Sequence, residues 1–153
     1  MTLLWILILI ATFLFMEFMA WFSHKYIMHG FLWSLHKDHH IKDHNSWFER
    51  NDLFFIFYAL VSTGFVLLWG EAGFWPGLPI GIGIFLYGMT YFLVHDIFIH
   101  QRFKIFRNAN NRYAKAVRRA HKMHHKKIQK EEGECFGMLL VPIKYFRAAT
   151  ANQ

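Results

Sequence analysis

Apolar residues in this chain come in long unbroken runs, not in the alternation of a half-buried strand or the one-sided stripe of a soluble helix. Three runs stand out, at about residues 2–22, 53–69 and 78–99. The first, if helical, is about 30 Å long at 1.5 Å per residue, matching the hydrocarbon core of a bilayer. The second is near the short end of the spanning range, and the third contains glycines and ends among histidines. Between them Gly73, Pro76, Gly77 and Pro79 supply a tight connection. A fourth apolar stretch, Phe136 to Phe146, holds Pro142 and Lys144, is too short to cross, and reads as interfacial. The pattern predicts an all-α integral membrane protein, one domain over 1–153, with three transmembrane helices plus cytoplasmic and interfacial helices.

Composition strengthens that reading. Of 153 residues, 55% are hydrophobic and 20% aromatic, whereas soluble domains hold roughly 45–50% apolar residues. A chain this small cannot hide so much apolar surface in its own interior, so lipid must cover part of it. The first run follows Met1 with no basic segment or small-residue cleavage signal, and is expected to be an uncleaved span. Cys135 is the single cysteine, which excludes an internal disulfide and a thiolate-built metal site.

Charge sets the expected sidedness. Every Lys and Arg lies within Lys25–Arg50 or Arg102–Arg147. Three spans put both segments on one side, as the positive-inside rule requires, whereas two or four would divide them. The expectation is therefore an inner (cytoplasmic) membrane protein with its N-terminus and the 70–79 connection outside. The net charge of +7 suits a cytoplasmic face binding lipid headgroups or an acidic redox partner. Nucleic acid fits poorly, because the basic residues flank the spans and no nucleic-acid motif is present.

Eleven histidines carry the chemistry. His24 and His29 form H-x-x-x-x-H, and His36, His39 and His40 form H-x-x-H-H. After two spans the order repeats, with His95 and His100, then His121, His124 and His125. His44 stands outside the pattern. On a helix at about 100° per residue, the i+3 and i+4 positions lie roughly 60° to one side and 40° to the other of position i. All three imidazoles of H-x-x-H-H therefore leave one face, which suits shared ligation of a metal, and two such helices facing each other can hold two metals. Ser34 is a candidate N-cap for a helix over 35–44, and Asn108, Asn110 or Asn111 for the helix carrying the second triplet. Positions i and i+5 lie about 140° apart on an ideal helix, so the two H-x-x-x-x-H pairs predict a helix end, bend or π-bulge where span meets cytoplasm.

All-nitrogen sites suit Zn, Cu, Fe or Ni. A site at the ends of membrane spans favours chemistry on lipid-dissolved hydrocarbon over hydrolysis of soluble substrates. Asp38 and Asp96 are candidates to orient the imidazoles. Glu17, inside the first span, is costly there and therefore a functional candidate; it lies about 10 Å from His24 along one helix face. It is expected to accept a proton from a ligating imidazole or to line a substrate tunnel.

The segments HKYIMHG at 24–30, HKDHH at 36–40, FERNDL at 48–53, VHDIFIHQR at 94–102, HKMHH at 121–125 and ECFGMLLVP at 134–142 resemble the bacterial β-carotene hydroxylases of the membrane-bound, histidine-motif fatty acid hydroxylase/sterol desaturase superfamily. The resemblance covers nearly the whole chain. It implies hydroxylation of a β-ionone ring at carbon 3, taking β-carotene through β-cryptoxanthin to zeaxanthin, with two Fe ions, O₂ and electrons from ferredoxin or a similar donor. Zn is a possible occupant of purified protein. The ligand set it implies is His24, His29, His36, His39, His40, His95, His100, His121, His124 and His125. HHIKDHNSWF at 39–48 departs from the family pattern at His44. Rival readings are a related oxygenase acting on a fatty acid, sterol or ketocarotenoid, and a membrane metal-binding or transport protein. The last is disfavoured because transporters place ligands near the bilayer midplane.

Overall fold

The computed structural model describes residues 2–42, 44–126, 129–131 and 133–150, with the backbone alone for 148–150. Helix α1 spans Thr2–Phe22 and continues as a π-helix over Ser23–Phe31. Helix α2 follows at Trp33–His40, α3 at Asp52–Ala72 and α4 at Gly77–Phe92, the last continuing as a π-helix over Leu93–Ile99. Helix α5 covers Arg112–His125 and α6 Ile143–Thr150. No strand occurs among the described residues. Three helical rods, Thr2–Phe31, Asp52–Ala72 and Gly77–Ile99, are long and apolar enough to cross a membrane, as expected from the apolar runs. Much of their surface is outward-facing Leu, Ile and Phe, a surface that only lipid can cover without cost.

Helix α4 is central, packed on α1 and α3. Glycine lets it approach both: a Cβ on Gly81 would stand 2.7 Å from Val66 Cγ2 and 2.9 Å from Ser62 O, and one on Gly83 2.8 Å from Thr12 Cβ. Small residues are the usual means by which membrane helices come this close. The Ser62 hydroxyl donates to Gly81 O at 2.7 Å, a bond that only such proximity allows. Helix α3 ends at Gly73, whose φ of 66° is left-handed, and Phe74 N–H closes the cap on Leu68 O at 3.1 Å.

His24 and His29 fall in the first π-helical segment, and His95 lies in the second with His100 as its C-cap. In a π-helix the i→i+5 hydrogen bond brings residue i+5 under residue i; His100 N–H donates to His95 O at 2.9 Å. The expected break in helical geometry is thus a longer π-helical segment at the end of the α1 and α4 rods.

Two local expectations are corrected. Helix α2 ends at His40, not 44, and its N-cap is Leu32 with no side-chain cap bond, not Ser34. The backbone turns extended at Ile41 (φ −130°, ψ 100°), because the chain must fold back to bring Glu49 and Asn51 against the imidazoles. At α5, Asn111 is the N-cap, its side chain accepting from Ala114 N–H at 2.8 Å. The stretch 136–146, expected to lie at the interface, is divided. Residues 133–142 form an irregular strap laid across α1 with Met138 buried, and α6 begins after Pro142.

Candidate metal centre

The histidines converge at one end of the bundle. His24, His29, His36, His40 and His124 form one group and His39, His95, His100 and His121 a second, with the ring nitrogens of each group within 4.8 Å of one another. His125 lies between them, its ring 4.5 Å from that of His40 and 4.5 Å from that of His121. His44 is in neither group.

Each H-x-x-H-H triplet is therefore split, where shared ligation of one metal was expected. His36 and His40, one helical turn apart, join the first group, while His39 turns to the second. The α5 triplet mirrors this: His124 crosses to the first group while His121 stays with the second. Helical geometry explains the division. Positions i and i+4 lie about 40° apart, but i+3 is displaced about 60° to the other side. Each half of the chain thus lends one imidazole to the other half's cluster.

The Nε2 atoms face inward in pairs: His24 to His36 at 3.1 Å, His40 to His36 at 3.2 Å, His29 to His124 at 3.3 Å and His100 to His121 at 2.8 Å. Six Nδ1 atoms point outward onto acceptors. His36 Nδ1–H donates to Asn51 Oδ1 at 2.7 Å and His39 Nδ1–H to Glu49 Oε2 at 2.8 Å. His95 Nδ1–H donates to Asp96 Oδ2 at 3.2 Å. Three more donate to backbone carbonyls of the C-terminal segment: His24 to Phe136 O (3.0 Å), His29 to Lys130 O (3.1 Å) and His124 to Glu134 O (2.8 Å). Cys135, between the last two strap carbonyls, takes a left-handed φ of 61°, a strained conformation for a side-chain-bearing residue.

Residues 9–145 match the fatty acid hydroxylase family. The chain belongs to that family. It is 41% identical over 142 residues to the β-carotene hydroxylase of Pantoea ananas, covering 91% of this chain and 80% of that one. It is 36% identical over 138 residues to the β-carotene hydroxylase of Paracoccus sp. (strain PC1), covering 89% and 83%. A chloroplastic β-carotene 3-hydroxylase 2 of Arabidopsis thaliana is 39% identical over 131 residues, covering 83% of this chain and 42% of the longer plant protein. No solved structure matches the chain.

Of the three acidic candidates in this hydroxylase, Asp96 does contact an imidazole. Asp38 reaches none of the clustered imidazoles: its Oδ2 accepts from Arg50 N–H at 2.6 Å and lies 3.4 Å from Nε2 of His44, which stands outside the clusters. It anchors Arg50, and His44 is part of that anchor. Glu17 contacts no imidazole. Its Oε1 accepts from the backbone N–H groups of Met138 (3.0 Å), Leu139 (2.9 Å) and Leu140 (2.9 Å), and Tyr87 O–H donates to Oε2 at 2.7 Å. It holds down the strap whose carbonyls orient His24 and His124.

Glu49, Asn51 and Arg102 were not singled out from the sequence. Their signal was there: all three lie in the family-like FERNDL and HQR segments, polar residues beside a span. The Arg102 guanidinium gathers Asp96 (3.0 Å), Asp52 (2.9 Å) and Glu49 (3.0 Å). It thereby ties together the two carboxylates that hold His95 and His39. Burial pushes the Glu49 carboxyl above its ordinary range, and Arg102 opposes that shift. Burial, reinforced by neighbouring imidazoles, holds His36, His39, His100 and His121 well below the usual histidine range. Burial likewise lowers His124 to about 4 and His125 to about 3. These imidazoles are neutral at physiological pH, the form that binds metal.

Proposed function

We propose that this hydroxylase adds oxygen to carbon 3 of a β-ionone ring, converting β-carotene through β-cryptoxanthin to zeaxanthin. It would use two iron ions, O₂ and an electron donor of the ferredoxin type. The observation that carries the reading is the pair of adjacent histidine groups with inward-facing Nε2 atoms. Two nitrogens bound to one ion at about 2.1 Å and at right angles lie about 3 Å apart, and the facing pairs here span 2.8–3.3 Å. The Nε2 atoms of His39 and His125 are buried without a hydrogen-bond partner, and a bound cation would satisfy both.

His24, His29, His36, His40 and His124 would hold one ion, and His39, His95, His100, His121 and His125 the other. Imidazoles accept iron, copper or zinc, and hydroxylation selects a redox-active metal, although zinc can load in purified protein. The metal pair, when bound, supplies oxygen activation and receives the donor's electrons. The chain itself contributes position. Each outward Nδ1–H bond fixes a tautomer and turns the Nε2 lone pair inward. The apolar helices keep water away and orient the hydrocarbon.

The carotene hydroxylases among the bacterial and plant relatives support the carotenoid substrate. The distribution of Lys and Arg supports an inner membrane location with the N-terminus outside and the metal centre on the cytoplasmic side. A carotenoid is long enough to span the roughly 30 Å hydrocarbon layer, so one ring reaches the centre at a time, and the second requires release and reversal.

Expression in cells that accumulate β-carotene, with pigments resolved by chromatography, tests the substrate. Zeaxanthin is expected, with β-cryptoxanthin as a transient. Hydroxylated fatty acids or sterols beside untouched β-carotene would point to another lipid. Metal analysis of anaerobically purified protein is expected to find two irons per chain. His124→Ala should abolish hydroxylation with membrane insertion intact; full activity in that variant would refute the ligand assignment.

A further inference from the structure

A cavity opens between α1, α3 and α4, just below the histidines. Its two ends differ chemically. One is lined by Asn51, Asp52, His95 and Asp96. Through Asn51, which holds His36, and through His95 itself, this end touches both histidine groups. The other end is apolar and aromatic, including Met16, Ile84 and Tyr87, and lies within the membrane-crossing rods.

In the cavity wall Phe55 of α3 faces Gly88 of α4. Phe55 lines the cavity and is 42% exposed on a membrane-crossing rod, so this wall of the cavity borders the lipid. A Cβ on Gly88 would meet only Phe55 Cε2, at 3.8 Å. This contrasts with Gly81 and Gly83 of the same helix, where a Cβ would collide with a neighbouring helix. Helix packing therefore does not require glycine at position 88; the missing side chain there leaves space in the cavity wall.

We propose that this cavity seats the terminal apolar ring of a long hydrocarbon, which enters sideways from the lipid between Phe55 and Gly88. The inference rests on the hydroxylase reading above and adds where the substrate sits and which residues set the width of its entrance. An apolar ring is the fitting occupant because the inner walls offer it aromatic and thioether contacts, while the rest of a hydrocarbon chain stays in the bilayer outside. The polar end then brings the leading edge of the ring under His95 without a cost to the polyene.

Gly88→Phe and Phe55→Trp narrow the entrance from opposite sides, and Gly64→Phe is the control. Gly64 also lies on α3, and a Cβ there meets nothing within 4 Å. Each protein is to be assayed in membranes with β-carotene, with iron content and pigment co-purification as separate readouts. Both entrance variants are expected to keep wild-type iron while kcat/KM falls at least tenfold, mainly through KM, and bound β-carotene is lost. Gly64→Phe is expected to match wild type. Wild-type kcat/KM and pigment binding in Phe55→Trp would overturn the proposal, and that variant decides the matter alone if Gly88→Phe fails to hold iron. A wild-type enzyme that leaves β-carotene unchanged would instead sink the hydroxylase reading, independently of the cavity.

Discussion

Glu17 is 8% exposed inside a membrane-crossing helix, yet its carboxylate is satisfied by three backbone amides and one phenol. Such charge-assisted bonds contribute more than neutral ones, about 1.5–3 kcal/mol each. Glu17→Ala is therefore expected to release the 133–142 strap, cost of the order of 3 kcal/mol and deplete the ion of the first cluster. Glu17→Gln, which keeps an acceptor for the amides, should restore most of both. Thermal melts and iron stoichiometry check this, and Glu17→Ala with full iron would show that the strap does not depend on the carboxylate. Arg102 acts similarly on the second cluster. Its planar fork reaches three carboxylates, and a lysine cannot. Arg102→Lys is expected to lower activity by roughly 10–100-fold, as loss of groups supporting metal ligands commonly does. Activity within twofold of wild type would show that charge alone is enough there.

At the scale of elements, the π-helical segments and the glycine contacts of α4 place the imidazoles. Both i,i+5 pairs depend on π geometry, since a regular α-helix would turn the two rings about 140° apart. Helix α4 carries His95 and His100 at its end, so its seating on α3 sets their height. Gly81→Leu forces a side chain into the space of Val66 and Ser62. It is expected to destabilise the protein by about 1–3 kcal/mol and, by displacing α4, to weaken iron retention. A melt in detergent with parallel metal analysis checks both, and an unchanged melting temperature would mean that the α3–α4 contact yields without strain.

For the whole molecule, the buried histidines couple stability to pH. Unfolded histidines take up protons near 6.5, whereas His124 in the fold does so only near 4. Between those values the unfolded chain holds more protons, so stability must fall as pH drops, and it is fully present above 6.5. Iron-depleted protein is expected to lose thermal stability on acidification from pH 6.5 toward 4 and to be insensitive just above that window. The iron-loaded protein should lose metal over the same window as protons compete for the imidazoles. A melting temperature that rose on acidification would contradict the neutral cluster.

Three helices long enough to span and a clustering of ten histidines were legible in the chain alone. Hydropathy acts over whole segments, and helical spacing is set by covalent geometry. The H-x-x-H-H pattern also contained the angular offset of its middle histidine, but not where that histidine goes, because an offset acquires a destination only when a second helix stands beside the first. Tertiary structure alone decided that His39 and His124 cross between clusters, that Glu17 holds a strap and not an imidazole, and that the backbone carbonyls of Lys130, Glu134 and Phe136 orient three rings. Backbone carbonyls carry no residue identity, and the partners of Glu17 lie 70 positions away at Tyr87 and 121 to 123 away in the strap, so no local pattern could announce them.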